Sequence, residues 1–574
     1  MRNIIITLLI VISVKTTTAQ IVWHNPLDAQ HPAIQGQAFA DEERENPYHR
    51  FPKRFSNELR PAVWAQSRHS AGESIRFSSD ARNITIRYIT KGARQMHHMP
   101  ATGVSGIDLY THDKNGNEIW LAGRYSFGDT ILCRYSGIEI ENGSKEHNYT
   151  LFLPLYSEVL WLEVGTDTKA SFRFLPPQGG KPIVAYGTSI CQGACASRPG
   201  MAWTNILQRH MGHTVMNLGF SGNAMLEKEV IKAIAEIDAH IYIIDALPNA
   251  CALQPQILQD TIVKAIKELR AARPHTPILI ADHLGYPHGK AIKDYKTSHK
   301  QANDAQAAAY NQLRDEGMQG IYHLTFQELA MPLDATVEGI HASDYGMQHY
   351  AEAYEKKLRS ILHEERGSHI TTIPTVQQRD SYNWRERHES IIASNNKQHY
   401  NRVIIGNSII HFWGGAEGAP AQRGKESWEK LPGTSLNLGF GWDKTENVLW
   451  RIYHGELDNI TADKIFLKIG TNNIAAGNSD EEIVSGIKQI LEAISHRRPE
   501  TKVTLMGILP RRGAEQRIAE LNKKLEQMAQ KTGVSFSNPG KKLLNAHGKT
   551  DESLFTDGLH PNAAGYRKIA PFFR

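Results

Sequence analysis

Residues 183–190, Ile183-Val184-Ala185-Tyr186-Gly187-Thr188-Ser189-Ile190, form an apolar run that is long enough for a buried strand and stops at a Gly-x-Ser turn. A segment of helical character follows, from Met201 towards His210. Because open α/β sheets place ligands at the carboxyl ends of their parallel strands, Ser189 is a candidate functional residue. Short apolar runs that end in glycine and serine are also common in ordinary core strands, so this stretch alone leaves both interpretations open.

The same pattern recurs 219 residues later (408 − 189), where residues 402–409 are Arg-Val-Ile-Ile-Gly-Asn-Ser-Ile. An Asn-Leu-Gly-Phe segment begins 28 residues after the first serine (217 − 189) and 29 after the second (437 − 408). A carboxylate-x-x-histidine segment begins 149 residues after each serine (338 − 189 and 557 − 408). Two coincidental serines would not share these spacings, so the chain contains two copies of one domain.

Length and composition agree with this organisation. Domains typically have about 150 residues, so a chain of 574 residues is expected to have three or four. This number fits two copies and one further module. The apolar fraction of 40% allows packed cores and argues against disorder. The net charge of +5 is small for this size and gives no support for nucleic-acid binding.

The first 19 residues are typical of a cleavable signal peptide. Met1-Arg2-Asn3 is positively charged, residues 4–14 are apolar, and Thr17-Thr18-Ala19 offers a cleavage site of small residues. The apolar segment is too short to span a bilayer, and no cysteine lies near the cleavage site for a lipid anchor. We therefore expect a periplasmic or secreted protein with no integral membrane segment.

Cysteines are sparse, and three of the four fall in the first copy. Cys191 and Cys195 follow Ser189, and Cys251 follows the third strand of the same copy, so these loops are expected to converge. A disulfide to Cys251 and buried free thiols are the two interpretations that the sequence leaves open. Because the sequence has neither a paired Cys-x-x-Cys nor a His-Glu-x-x-His motif, we expect no metal site and no cofactor.

Residues 20–175 differ from the rest of the chain because short alternating or β-rich runs dominate and no long helical period occurs. This pattern predicts an all-β sandwich or jelly roll. Aromatic residues such as Trp64, Tyr110 and Trp120 are candidates for stacking on sugar rings or, more commonly, for core packing.

Residues 176–365 alternate between strand-like and helix-like segments. The predicted strands cover 181–186, 214–218, 241–245, 278–281 and 321–324, and the predicted helices cover 201–211, 225–236, 256–272, 302–315 and a segment from about 345. Such alternation predicts an α/β fold with a doubly wound parallel sheet.

Polar residues fall at the predicted strand ends of this copy. Ser189 ends the first strand, Ser221-Gly222-Asn223 follows the second, Pro248-Asn249 follows the third, and Glu338-x-x-His341 precedes the last helix. This constellation resembles the SGNH (GDSL-type) hydrolases over the whole copy. Cys191 stands where a Gly-x-Ser-x-Gly elbow would have its last glycine, which separates the chain from the α/β-hydrolases.

The resemblance implies that Ser189 is a nucleophile and His341 its general base. It also implies an oxyanion hole formed by the backbone N–H groups of Ser189 and Gly222 and by the Asn249 amide. The family places an aspartate where this chain has Glu338. Asp344 is the alternative partner of the histidine, although a cap of the last helix is the commoner use of such a residue.

Residues 366–381 are predicted to form a linker, and residues 382–574 form the second copy. Asn407-Ser408-Ile409-Ile410-His411, Asn447-Val448-Leu449-Trp450-Arg451 and Ile469-Gly470-Thr471-Asn472-Asn473 resemble the platelet-activating-factor acetylhydrolase-like branch of the same family. Helical faces at 482–495 and 515–528 and strands at 464–469 and 502–508 repeat the α/β order.

The second resemblance implies that Ser408 is the nucleophile, with Asp557 and His560 as its base pair and Asn472 as an oxyanion donor. The family places its oxyanion glycine where this chain has Trp442. A backbone N–H survives that substitution, whereas the indole is expected to narrow or reshape the acyl pocket.

These observations predict a serine esterase that removes O-acetyl groups from carbohydrate at two tandem sites, by a Ser-His-Asp/Glu mechanism without metal. Acetylated sialic acids, xylan and pectin-type glycans are the candidate substrates. A lipid or other short-acyl esterase is one alternative, and a glycan-binding protein with one or both hydrolase domains inactive is the other. The sequence leaves the oligomeric state open.

Overall fold

The computed structural model describes residues 20–113, 117–140, 146–377, 382–395, 398–416 and 418–574. The predicted signal peptide, residues 1–19, lies outside the described residues and stays a prediction. No helix in the described ranges is long and apolar enough to cross a membrane.

The N-terminal module is a sandwich of two antiparallel sheets, as the alternating runs predicted. Its strands are β1 (Ile21–His24), β2 (Ile34–Gln35), β3 (Ser74–Ser79), β4 (Asn83–Lys91), β5 (Asp108–His112), β6 (Glu118–Leu121), β7 (Arg124–Ser126), β8 (Ile131–Ser136), β9 (His147–Phe152), β10 (Glu158–Asp167) and β11 (Phe172–Phe174). One sheet has the order β1-β10-β4-β8-β7, and the other has β11-β3-β9-β5-β6 with β2 paired to β3. Two short helices, α1 (Pro61–Ser67) and α2 (Ala101–Val104), lie outside the sheets.

The first α/β domain has a parallel sheet in the order β13-β12-β14-β15-β16. Its strands are β12 (Ile183–Gly187), β13 (Val215–Gly219), β14 (Ile241–Asp245), β15 (Ile278–Ala281) and β16 (Ile321–Leu324). Its helices are α3 (Ser189–Gln192), α4 (Trp203–Met211), α5 (Lys228–Glu236), α6 (Leu247–Ala250), α7 (Pro255–Ala272), α8 (Lys293–Asp315), α9 (Phe326–Leu329) and α10 (Asp344–Leu362).

The second α/β domain repeats this order as β18-β17-β19-β20-β21, again parallel. Its strands are β17 (Gln398–Gly406), β18 (Ser435–Gly439), β19 (Ile460–Lys468), β20 (Lys502–Met506) and β21 (Ser535–Ser537). Its helices are α11 (Trp384–Ser394), α12 (Ser408–Gly414), α13 (Lys425–Glu429), α14 (Thr445–Tyr453), α15 (Thr471–Ala475), α16 (Asp480–Arg497), α17 (Glu515–Thr532) and α18 (Ala563–Ile569).

The apolar runs that open each copy are central strands covered on both faces. Along β12, Val184 and Tyr186 pack into one buried cluster, while Ile183 and Ala185 pack into another on the opposite face. Because helices cover both faces of a parallel sheet, successive residues are all apolar instead of alternating with polar ones. The prediction of two doubly wound domains behind a β-sandwich is confirmed.

The N-terminal module is packed directly onto the first α/β domain. Phe51 and Phe55 belong to the same buried cluster as the helices of that domain. The buried Arg50 guanidinium donates hydrogen bonds to the backbone oxygens of Asn217 and Gly219, at 2.7 and 3.0 Å. A buried cation held by carbonyl oxygens ties the module to the end of β13.

Candidate active sites

Each candidate nucleophile is the first residue of a helix that follows the central strand of its sheet. The Thr188 side chain accepts a hydrogen bond from the Ile190 N–H, and Asn407 does the same for Ile409. The glycine before each cap is required by close packing. A Cβ on Gly187 would lie 2.8 Å from the Asp245 carbonyl oxygen, and one on Gly406 would lie 2.7 Å from that of Lys468.

In the first domain, hydrogen bonds link Ser189, His341 and Glu338 in a row that has the composition of a catalytic triad. The Ser189 hydroxyl donates to Nε2 of His341 across 2.8 Å. Nδ1 of His341 is hydrogen-bonded to Oε1 of Glu338, which also accepts the His341 backbone N–H at 3.2 Å. An Nδ1–H held by the carboxylate leaves Nε2 free to accept the serine proton, which is the arrangement that a general base requires.

Asp344, the alternative partner of His341, is engaged elsewhere. Its carboxylate accepts hydrogen bonds from the backbone N–H and the hydroxyl of Ser197, at 2.8 and 2.5 Å. It is the first residue of α10, but the side chain that caps this helix belongs to Ser343. Asp344 therefore fixes the loop after the nucleophile and does not touch the base, and the prediction that it caps the helix is wrong by one residue.

The second domain repeats the row with Ser408, His560 and Asp557. The Ser408 hydroxyl lies 2.8 Å from Nε2 of His560, and Nδ1 of His560 lies 2.8 Å from Oδ2 of Asp557. Oδ1 of Asp557 accepts the backbone N–H groups of Leu559 and His560, at 3.0 and 2.8 Å. The two rows thus have the same serine–histidine distance although their carboxylates differ in length.

Electrostatics in the second row favour an ionised carboxylate and a neutral imidazole. Burial opposes ionisation of Asp557, but the hydrogen bonds and charge of His560 outweigh it and lower the pKa of Asp557 to about 2. Burial lowers the pKa of His560, and the charges of Arg423 and Lys468 add to that effect against the opposing pull of Asp557. A neutral imidazole can accept the serine proton at neutral pH.

The two predicted oxyanion positions, Gly222 and Trp442, have the same left-handed backbone, with φ of +67° and +68°. A Cβ on Gly222 would meet no atom within 4 Å, so the space in front of this residue is open. Trp442 places an indole at that position, and 54% of its surface is exposed. The substitution therefore keeps the backbone conformation and adds a large side chain at a position that is open in the first domain.

The two predicted asparagine donors lie in equivalent short helices, α6 and α15, four residues after the third strand of each sheet. Oδ1 of Asn249 accepts the Ala224 N–H at 3.2 Å, which directs its NH₂ group to the other side. Nδ2 of Asn472 donates to the Asp443 carbonyl oxygen at 2.9 Å, which uses one of its two protons. Each amide is tied to the loop that carries the other oxyanion residue, and each keeps an N–H for a ligand.

The N-terminal module contributes residues to the first site that the sequence did not predict. The ring of His98 stacks on His341 with centroids 5.6 Å apart. The Tyr156 hydroxyl donates to the Ser189 carbonyl oxygen at 3.4 Å. The sequence has no spacing that connects these residues to the triad, because the contacts arise from docking of the module.

The segment Gly106-Ile107-Asp108-Leu109-Tyr110 anchors the loop that follows the first nucleophile. The Asp108 carboxylate accepts hydrogen bonds from Arg198 at 2.5 Å and from the Gly200 N–H at 2.8 Å. Trp120 donates its indole N–H to the same carboxylate at 2.7 Å, and Arg198 lies over the Trp120 ring. Tyr110 is buried at this contact and Trp64 packs against the core, so of the three aromatics only Trp120 is largely exposed.

The cysteines of the first domain are free thiols in this structure. Cys191 is buried with its Sγ 3.5 Å from the Ala185 oxygen, and Cys195 lies 3.9 Å from Oε2 of Glu338. The sequence left open a disulfide to Cys251 or free thiols, and the structure has free thiols.

Potential metal-ligand atoms do converge within the described residues, from distant parts of the sequence. One group is His98, Cys195 and His341, and the other is His213, His240 and Glu364. Both nitrogens of His341 are engaged by Ser189 and Glu338, and Glu364 accepts a hydrogen bond from Arg497 at 2.7 Å. A metal at either place would have to displace these contacts, so we assign it no part in the reaction.

Comparisons with known proteins agree with this architecture. The GDSL-like lipase/acylhydrolase family matches residues 180–359 and again residues 404–568. The GxDLY family, described as the N-terminus of SGNH-hydrolase-type esterases, matches residues 21–172. Residues 106–110 contain the Gly-x-Asp-Leu-Tyr sequence for which that family is named.

Three individual relatives are each 29% identical to this chain or less. The human platelet-activating factor acetylhydrolase IB subunit alpha2 is 29% identical over 195 residues, which are 32% of this chain and 80% of that protein. The bovine alpha1 subunit is 27% identical over 195 residues, 32% of this chain and 78% of its own. A crystal structure of a candidate GDSL-like lipase from Bacteroides ovatus covers 60% of this chain and 98% of its own, with 29% identity and a TM-score of 0.55.

The fold and the two serine-histidine-carboxylate rows define an esterase or acylhydrolase. The chain belongs to the SGNH, or GDSL-like, hydrolases, and it carries two such domains behind the N-terminal module of SGNH-type esterases.

Proposed function

We propose that this protein removes O-acetyl groups from carbohydrate at both of its hydrolase domains. The observation that carries the proposal is the presence of two serine–histidine pairs, each 2.8 Å apart and each backed by a carboxylate. Each serine would attack the ester carbonyl as its histidine takes the hydroxyl proton, and the sugar alcohol would leave with that proton. Water would then release acetate from the acyl-serine by the same base.

The choice of a small acyl group rests on the relatives and on the second site. The curated relatives are named as acetylhydrolases. Trp442 adds a large side chain at an oxyanion position, where the acyl group of an ester would lie. An indole that narrows the acyl pocket would favour acetyl over longer chains.

The choice of carbohydrate rests on the N-terminal module. His98 and Tyr156 bring this module to the first nucleophile, so the leaving alcohol would contact a β-sandwich surface. The predicted signal peptide further supports export to the periplasm or the medium, where acetylated polysaccharides would be met. N-terminal sequencing of the exported protein should find a chain that begins at Gln20.

Acetate release from a panel of esters tests the proposal. The panel should hold acetylated sialic acid, acetylated xylan, acetylated pectin and an acetylated glycerolipid, with the Ser189→Ala/Ser408→Ala double variant as the control. Release from one or more glycans and little from the lipid is the expected result. Preference for the lipid would favour a lipid esterase, and the absence of fluorophosphonate labelling at both serines would leave only a binding protein.

A further inference from the structure

A cleft of about 560 Å³ lies where the N-terminal module and both hydrolase domains meet. This volume is within the range of small-molecule binding sites, roughly 300–1,000 Å³. No residue of either triad lines it. The cleft reaches the end of α4, from which the chain enters β13, so it lies towards the amino ends of the first sheet, whereas Ser189 follows the carboxyl end of β12.

The cleft is strongly basic. Its lining includes one carboxylate, that of Glu118, and five guanidinium groups, those of Arg76, Arg209, Arg359, Arg366 and Arg385. These arginines come from all three parts of the chain, so their proximity is a product of domain packing.

Protein carboxylates neutralise only part of this charge. Arg209 is paired with Glu118, and Arg359 donates to Glu355 at 2.8 Å. Arg366 reaches the same Glu355 only at 3.9 Å, and its side chain is 48% exposed.

Arg76 and Arg385 share one nearby acid, Glu389. Arg76 is buried and lies 3.4 Å from its nearest acid, Glu389. Burial and the charge of Arg76 lower the pKa of Arg385 to about 9. Burial, with the charges of Arg385, Arg209 and Arg76, lowers the pKa of the nearby His112 to about 4. The positive charges of three arginines therefore combine at His112, in the wall of the cleft.

Hydrogen-bonding groups of the cleft are also unused. Nε of Arg385, Nε of Arg209 and Nε2 of Gln35 are buried without an acceptor among the described residues. Guanidinium groups in a fixed fork bind carboxylates through paired hydrogen bonds, and like charges in a buried place need a counter-charge. A bound anion would supply both the hydrogen-bond acceptors and the counter-charge.

Side-chain amides form much of the remaining polar lining, among them those of Gln35, Asn148, Gln178 and Gln208. Amides both donate and accept, which suits the hydroxyl groups of a sugar. We propose that the cleft binds a carboxylate-bearing oligosaccharide, away from both catalytic serines, and so holds an acidic glycan chain on the enzyme. The sugar part of this inference rests on the proposed function, whereas the anionic part rests on the arginines.

The test is calorimetric titration of the full-length protein with oligogalacturonate that carries no acetyl groups, and with its fully methyl-esterified, neutral counterpart. Only the acidic form should bind, and added NaCl should weaken binding. Arg385→Gln and Arg366→Gln should each weaken binding about tenfold or more. Arg82→Gln, which changes an exposed arginine paired with Glu139 outside the cleft, should leave it unchanged.

The variants should keep their turnover of p-nitrophenyl acetate, because neither arginine belongs to a triad. Should Arg385→Gln fail to fold, the exposed Arg366 decides. Equal binding of the acidic and neutral forms, or unchanged binding by both cleft variants, would overturn the inference. Binding of a sulfated glycan without binding of the uronate would overturn the carboxylate assignment. Uronate binding by a protein that releases no acetate from any glycan would refute the proposed function and leave this site standing.

Discussion

Gly222 and Trp442 occupy equivalent positions after the second strand of their sheets, and both have a left-handed backbone. Glycine adopts this conformation freely, whereas another residue loses about 1 kcal/mol or more in it. A tryptophan that keeps such a backbone indicates that the conformation is fixed by its surroundings. The backbone is therefore shared by the two sites, and the side chain at this position distinguishes them.

Exchange of these side chains should alter acyl-chain preference. With Ser189→Ala silencing the first site, Trp442→Gly should raise kcat/KM for an aryl butyrate relative to the aryl acetate by about tenfold, since a pocket methylene is worth roughly that much or more. With Ser408→Ala silencing the second site, Gly222→Trp should shift the preference towards acetate. Trp442→Ala is the matched control, because it removes the ring and keeps a Cβ on the left-handed backbone. An unchanged ratio in all three variants would show that the indole does not border the acyl pocket.

Glu338 should be essential to the first site, and Asp344 should not. In the Ser408→Ala background, Glu338→Gln should lower kcat by about 10³- to 10⁴-fold, because the imidazole loses the partner that fixes its tautomer. Its thermal unfolding midpoint should change little. Asp344→Asn should affect mainly stability, since Asp344 holds Ser197. A large loss of kcat in Asp344→Asn together with a small loss in Glu338→Gln would contradict the assignment of Glu338 as the partner of His341.

The pH dependence of the second site follows from His560. Its pKa is lowered by burial from the ordinary 6.5. In Ser189→Ala, kcat/KM should therefore rise with pH through an inflection below 6.5, because the neutral imidazole is the active base. Arg423→Gln removes a charge that disfavours the imidazolium and should move the inflection upwards, whereas Arg82→Gln should not. An inflection above 6.5 in the Ser189→Ala protein would contradict the burial effect.

Asp557 makes the stability of the fold depend on pH, and this dependence falls at lower pH than the change in rate. Its folded pKa of about 2 lies below the ordinary 3.8, so its ionised form stabilises the fold above about pH 4. This contribution should be lost as pH falls towards 2. The unfolding midpoint of the protein should thus fall more steeply with acid than that of Asp557→Asn, measured by circular dichroism.

The sequence predicted the fold where buried strands are continuous apolar runs. The predicted bounds of β14, β15 and β16 match the structure, because helices cover both faces of these strands. Exposed ends were missed. Strand β19 begins at Ile460 and not at 464, and α8 begins at Lys293 and not at 302. Thr461 and Asp463 are exposed and residues 293–301 are mostly polar, so neither extension forms an apolar run.

The candidate sites were predictable only where residues share a local motif. The carboxylate-x-x-histidine pattern brings Glu338 to His341 within one turn of chain, so its spacing can be found in the sequence. His98 reaches His341 only because the N-terminal module docks on the first hydrolase domain. Asp108 lies in a motif visible in the sequence, but its task of holding the loop at Gly200 depends on the same docking.

The two hydrolase sites should work independently. Each domain holds its own serine, histidine, carboxylate and asparagine, and each row is closed by contacts within that domain. Ser189→Ala and Ser408→Ala should therefore each remove part of the esterase activity, and the double variant should remove nearly all of it. The partial losses should differ between substrates, because Trp442 stands in one site where the other has Gly222. Acetate release by both single variants should be measured on an aryl acetate and on an acetylated glycan. Loss of all activity on both substrates from one single substitution would show that the other domain is a scaffold or that the two halves build one site.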